Sequence, residues 1–101
     1  MAAVTDDLRP LFDEIRELLA APRDGDDAPG RERLEHTLTS GYARALELEA
    51  ERERIDPADP STRDRLATAA ADLSNLRQLL EPLRNRVREL RVEESREARA
   101  L

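Results

Sequence analysis

Between Leu66 and Leu90 the apolar residues recur at alternating intervals of three and four: Leu66, Ala69, Leu73, Leu76, Leu80, Leu83, Val87 and Leu90. Strand side chains repeat every two residues, so only a helix gathers this series on one face. At 1.5 Å per residue the stripe is roughly 36 Å long. A stripe so long and narrow has to be covered by another helix of the same period. The chain supplies one: Leu34, Leu38, Gly41, Ala45, Leu48, Arg52 and Ile55 alternate four and three apart. The two segments are joined by D-P-A-D-P, residues 56–60. A turn this short between two long helices predicts an antiparallel hairpin.

In an antiparallel pair, facing residues have numbers that add to a constant. A total of 121 pairs Ile55 with Leu66, Arg52 with Ala69, Leu48 with Leu73, and Ala45 with Leu76. It continues through Gly41 with Leu80, Leu38 with Leu83, and Leu34 with Val87. Small residues then face large ones at Gly41, Ala45 and Ala69, as close packing requires. The charged edges agree with this register. Glu35, Glu49 and Asp56 line one edge of the second helix, and Arg77, Arg84 and Arg91 line the matching edge of the third. Pro82 interrupts the third helix at an outward position, removing the hydrogen bond to the Gln78 carbonyl and favouring a bend toward the partner helix. Gly41 lies at nearly the same height. The pair reads first as a packing device, and second as a hinge or ligand niche at the waist of the hairpin.

A third stripe precedes the hairpin: Leu8, Leu11, Phe12, Ile15, Leu18 and Leu19. Asp7 is the expected N-cap, Pro10 falls in the first turn, and the helix is expected over 7–21. The Pro/Gly/Asp-rich segment 22–30 is a linker. The second helix is expected over 31–55 and the third over 61–97, with Ser61 as its cap, Asp64 completing a weak capping box, and a polar tail that frays. The whole chain, 1–101, therefore reads as one all-α domain, a short N-terminal helix packed on a long antiparallel hairpin in a three-helix, coiled-coil-like bundle.

Composition fits this. Ala, Leu, Glu and Arg are good helix formers, 40% of the residues are charged, and the only aromatics are one Phe and one Tyr. The core is thin for 101 residues, so homodimerisation is expected. A net charge of −6 argues against nucleic-acid binding by the surface as a whole. There is no cysteine for disulfide or thiol chemistry. No apolar run is long enough for a membrane span, and M-A-A-V-T-D-D does not read as a secretory leader, so a cytoplasmic location is the expectation. All 17 basic residues are arginine, which reads as coding bias.

Catalytic groupings are nearly absent from the pattern. His36 is the single histidine, placed outward beside Glu32 and Glu35 with no companion ligands for a metal. Thr39, Ser40, Ser61 and Ser74 have no base in a triad arrangement. Glu47, Glu49, Glu51 and Glu53 spread around a helix as a solvated acidic face. The arginines are more suggestive. Residues 61–101 carry nine Arg against seven acids, whereas residues 1–60 carry eight against sixteen. Arg77, Arg84, Arg88 and Arg91 lie along one side, with Arg86 on another. Such a stripe could grip a phosphate bidentately or pair with Glu35 and Glu49. Tyr42 and Leu46, facing Ala67 and Ala70, form the expected bed of the first helix, or a docking groove if that helix detaches. Leu79 and Val92 fall outside both seam and bed and are candidates for a subunit contact.

In S-N-L-R, Ser74 and Arg77 occupy two positions of a five-residue signature, Glu, Ser four later, Arg three later, Gln four later and Asp four later. With the short helix and hairpin, they resemble the anti-sigma factors that bind cyclic di-GMP on a coiled coil. The resemblance implies the helical architecture. Ala70, Glu81 and Asn85 stand at the other three places, so the acidic guanine contact and the amide are missing and the ligand is not carried over. A chorismate-mutase-like bundle has a similar size, but this chain has no lysine and lacks a matching first-helix pattern. The expected function is that of a non-enzymatic regulatory or scaffolding module acting through helix–helix contacts, without cofactor or metal. The alternative is a helical receptor for a phosphate-bearing ligand, a nucleotide or nucleic acid, held by Arg77, Arg84, Arg88 and Arg91; an enzyme ranks third.

Overall fold

The computed structural model describes residues 7–100, and every regular element in it is helical: α1 (Arg9–Ala20), α2 (Arg31–Arg54), a 3₁₀ turn (Pro60–Thr62) and α3 (Arg63–Ala100). The stretch weighed above as a leader falls on residues 1–6, outside the described residues, apart from Asp7. Among the described residues no helix is long and apolar enough to cross a membrane.

α2 and α3 form the hairpin. Ile55 turns extended and ends α2. The Asp56 carboxylate then accepts the Ala58 N–H at 2.9 Å, bending the chain. The cap of the next segment is Asp59, not Ser61. Its Oδ1 accepts both the backbone N–H of Ser61, at 2.9 Å, and the Ser61 hydroxyl, at 2.8 Å. Those hydrogen bonds, the side-chain one foremost, hold the Asp59 carboxyl below its ordinary 3.8. Proline at 60 fits the first position of the turn, so the residue before it, Asp59, takes the cap position. α3 continues through the polar tail to Ala100, past the expected end near residue 97. Arg31, at the start of α2, pairs with Glu94 at 3.1 Å.

The helices run antiparallel in one register. Moving back along α2 from Glu49 to Glu35 moves the partner forward along α3 from Arg77 to Arg91. Leu34, Ala45, Leu48, Ile55, Ala69, Leu73, Leu76, Leu80, Leu83 and Val87 are buried. Gly41 meets Leu80: a Cβ at position 41 would lie 2.3 Å from Leu80 Cδ2. The space Gly41 leaves is thus filled by Leu80. Pro82 is exposed, and α3 is assigned as one helix through it. Arg52, expected in the seam, is exposed; near the hairpin end its long side chain reaches water more cheaply than it buries a charge.

α1 departs most from expectation. Asp7 does not cap it. Leu8 precedes the helix with no side-chain cap, Pro10 sits in the first turn, and Asp7 instead pairs with Arg44 of α2. Leu8, Phe12, Ile15 and Leu18 are buried, while Leu11 and Leu19 are partly so. Yet the bed is not Tyr42 and Leu46, which remain 41% and 66% exposed. α1 lies on the opposite side of the hairpin. There the buried Thr37 hydroxyl donates to Glu14 Oε1 at 3.1 Å. Leu79, expected at a subunit contact, is half-buried against this core.

Arg86 explains the choice of side. Only 8% exposed, it donates from one guanidinium nitrogen to the Leu18 and Leu19 carbonyls, at 3.0 and 3.1 Å. Its other terminal nitrogen donates to Ala21 at 3.0 Å. α1 has no basic residue in its own last turn, so Arg86 satisfies the orphan carbonyls and complements the helix dipole. The alanines at 67 and 70 offer neither a cation nor comparable apolar area.

Gly41→Ala is expected to destabilise the chain by about 1–2 kcal/mol in urea unfolding, overpacking outweighing alanine's helix preference. On a Leu80→Ala background the same change is expected to cost less or to stabilise. Arg86→Ala is expected to cost about 2–3 kcal/mol, since it leaves buried carbonyls without a charged donor, and to speed proteolytic cleavage in residues 22–30.

Candidate functional site

α1 covers one side of the hairpin, and among the described residues the other side is bare. Its main feature is an open groove of about 640 Å³, lined by Tyr42, Ala45, Leu46 and Glu49 from α2 and by Arg77, Leu80, Glu81 and Arg84 from α3. Two shallower hollows continue it toward the turn, one over Ala70, Ser74 and Gln78 and one over Glu53, Ile55 and Leu66. None of the three is lined by a residue of α1. The floor is apolar where Ala45 and Leu80 come up from the seam. Tyr42 and Leu46 stand on the wall.

The arginine stripe is divided. Arg77 is hydrogen-bonded to Glu49, and Arg91 reaches Glu35 at 2.7 Å, two of the edge pairs expected from sequence. Arg84 and Asp56, expected in the same network, do not join it. Asp56 serves its own turn, as described above, while Arg84 lines the groove. Arg88 is exposed on the same strip. Among the described residues neither Arg84 nor Arg88 has a hydrogen-bond or ion-pair partner. A phosphate entering here would meet one unpaired guanidinium at Arg84, with Glu81 and Glu49 also lining the groove. The four arginines therefore do not converge on one point. His36 is exposed, and no group of acidic or histidine side chains suited to hold a metal occurs among the described residues.

Of the four residues singled out for partner contact, Tyr42, Leu46 and Val92 are exposed, Val92 at 46%. Val92 lies eight residues beyond Arg84 and lines neither the groove nor the two hollows. Leu79 is on the other side, as described above. Sequence reasoning missed the buried polar residues Thr37, Asp72 and Arg86. A signal for Arg86 exists. Leu79, Leu83, Arg86 and Leu90 are spaced four, three and four apart, a second helical strip beside the main one, with arginine at an apolar place.

The chain matches no protein-family model, no curated protein and no solved structure. The functional reading therefore rests on the site's own geometry.

The Arg77–Glu49 pair is more than one-third exposed on both sides, so water and salt screen it. Arg77→Ala is expected to lower stability by less than about 1 kcal/mol, with the difference vanishing in molar salt; thermal unfolding at two ionic strengths measures it.

Proposed function

We propose that this chain is a non-enzymatic interaction module, regulatory or scaffolding, that receives an amphipathic helix on the α2/α3 face opposite α1. One observation carries this reading. Tyr42 and Leu46 stand exposed beside Leu80 in a groove between two parallel-lying helices, the position a fourth helix takes in a bundle. Isolated surface leucines are ordinary, but a leucine and a tyrosine on one groove with an apolar floor make a helix-binding surface. A helix seated there buries apolar area on its inner face. Its flanks meet acidic residues on the α2 side and arginines on the α3 side, which sets its direction and selects among partners.

A second reading has its own support in the unpaired Arg84: a receptor for a phosphate-bearing small molecule. The carboxylates of Glu49 and Glu81 on the same groove weigh against it.

Replacing Tyr42 by a photo-crosslinking phenylalanine analogue, in cells that produce the chain, separates the two. The helix reading expects cross-links to a helical segment, of this chain or another, lost on Leu46→Glu, and no thermal stabilisation by nucleotides. Absent cross-links, together with a nucleotide-dependent rise in Tm that Arg84→Ala abolishes, would overturn it in favour of the receptor.

A further inference from the structure

The bare face is sorted by charge along its length. Its α2 edge carries Glu35, Glu49 and Glu53, with two exceptions, Arg31 at the far end and Arg52 near the turn. Its α3 edge carries Arg77, Arg84, Arg88 and Arg91, with Glu81 and, opposite Arg31 at the far end, Glu94 as exceptions. Between the edges lies the apolar strip of Tyr42, Leu46 and Leu80. Such a face complements itself. Turned by half a revolution about an axis parallel to the helices, a second copy lays its acidic α2 edge on the first copy's basic α3 edge. The reverse match forms at the same time. The other two-fold, perpendicular to the helices, sets α3 on α3 and stacks one arginine edge on the other, a like-charge arrangement that is costly.

We infer that the helix received on this face belongs to a second copy of the chain, docked about a two-fold axis parallel to the hairpin. This rests on the reading of the face given above and names its occupant. The product is a four-helix layer of two hairpins, each α2 antiparallel to the α3 of the other copy, with the two α1 helices outside.

The register within one chain fixes what meets what, because this axis preserves height along the hairpin. The Arg77–Glu49 and Arg91–Glu35 pairs place Arg84 level with Tyr42, midway between them. In the dimer the Arg84 guanidinium therefore comes over the ring of Tyr42 from the second copy, a cation–π contact for a cation with no ion-pair partner among the described residues. By the same count Leu46, two-thirds exposed in the single chain, comes level with Leu80 of the second copy and closes over the apolar floor. Arg88 comes within a turn of the second copy's Glu35. A thin core is extended by the same contact that satisfies the free cation.

The test uses the full chain. Sedimentation equilibrium is expected to give twice the chain's 11.4 kDa, and Leu46→Glu is expected to halve that mass with helicity by circular dichroism unchanged. The chain has no cysteine, so single cysteines report geometry directly. When Tyr42→Cys and Arg84→Cys chains are mixed and oxidised, the 42–84 disulfide is expected to dominate over 42–42 and 84–84. A monomeric wild type, a dimer indifferent to Leu46→Glu, or a dominant 84–84 disulfide would each overturn the inference. A monomer that still cross-links another protein from position 42 removes the self-pairing alone. A monomer that cross-links nothing removes the helix-binding reading as well.

Discussion

The contact on which the rest depends is Leu80 lying against Gly41. With no Cβ on Gly41, α2 comes close enough to α3 for Leu80 to fill the gap, and even a methyl group there would lie 2.3 Å from Leu80 Cδ2. A glycine inside a helix costs about 1 kcal/mol relative to alanine, which the fit offsets only when the facing residue is large. Sliding one helix by a turn would bring Leu76 or Leu83 toward Gly41 and set Leu80 against a facing side chain, which overpacks that part of the seam. One register therefore wins. That register also brings Glu49 to Arg77 and Glu35 to Arg91. The exposed pairs add little energy but agree with the packing.

Once the hairpin is fixed, it has two flanks, and α1 can cover one. Both offer apolar surface beside the seam, so hydrophobic burial alone does not choose sharply. A directional interaction does. The last turn of α1 ends in unsatisfied carbonyls, and Arg86 reaches three of them from a buried position. Charge-assisted hydrogen bonds of this kind are strong where water is excluded. The arginines of the opposite flank, Arg77, Arg84 and Arg88, are exposed to water where Arg86 is buried, so a cap there is worth less, and Tyr42 and Leu46 stay on show. The candidate binding face is in this sense a consequence of where α1 finds its cap.

Sequence and structure agree where period and steric fit decide. The apolar stripe of α3, the matching stripe of α2 and the meeting of Gly41 with Leu80 could all be read from spacing. The side on which α1 docks could not be read with the rule applied. Weighing large apolar residues alone made Tyr42 and Leu46 look like the bed and left Arg86 as a surface charge. An arginine on an apolar strip is ambiguous in sequence, because its role depends on carbonyls from a segment about 65 residues away. Caps were missed for a related reason. Asp7 and Asp59 are both good capping residues, but Asp7 pairs across the bundle with Arg44 whereas Asp59 caps locally. For the site, Val92 outside the seam was legible, while the exposure of Tyr42 and Leu46, read first as the bed of α1, and the division of the arginine stripe into paired and unpaired members required the register and the groove together.

The most direct test of the register is a methyl nuclear Overhauser spectrum of the wild-type chain with leucine methyls labelled. A strong cross-peak between a Leu80 δ-methyl and the Gly41 α-protons is expected, with Leu76 and Leu83 methyls giving none of comparable strength. Strong contacts from Leu76 or Leu83 to Gly41 in place of Leu80 would mean a different alignment of α2 on α3 and would contradict the fold described here.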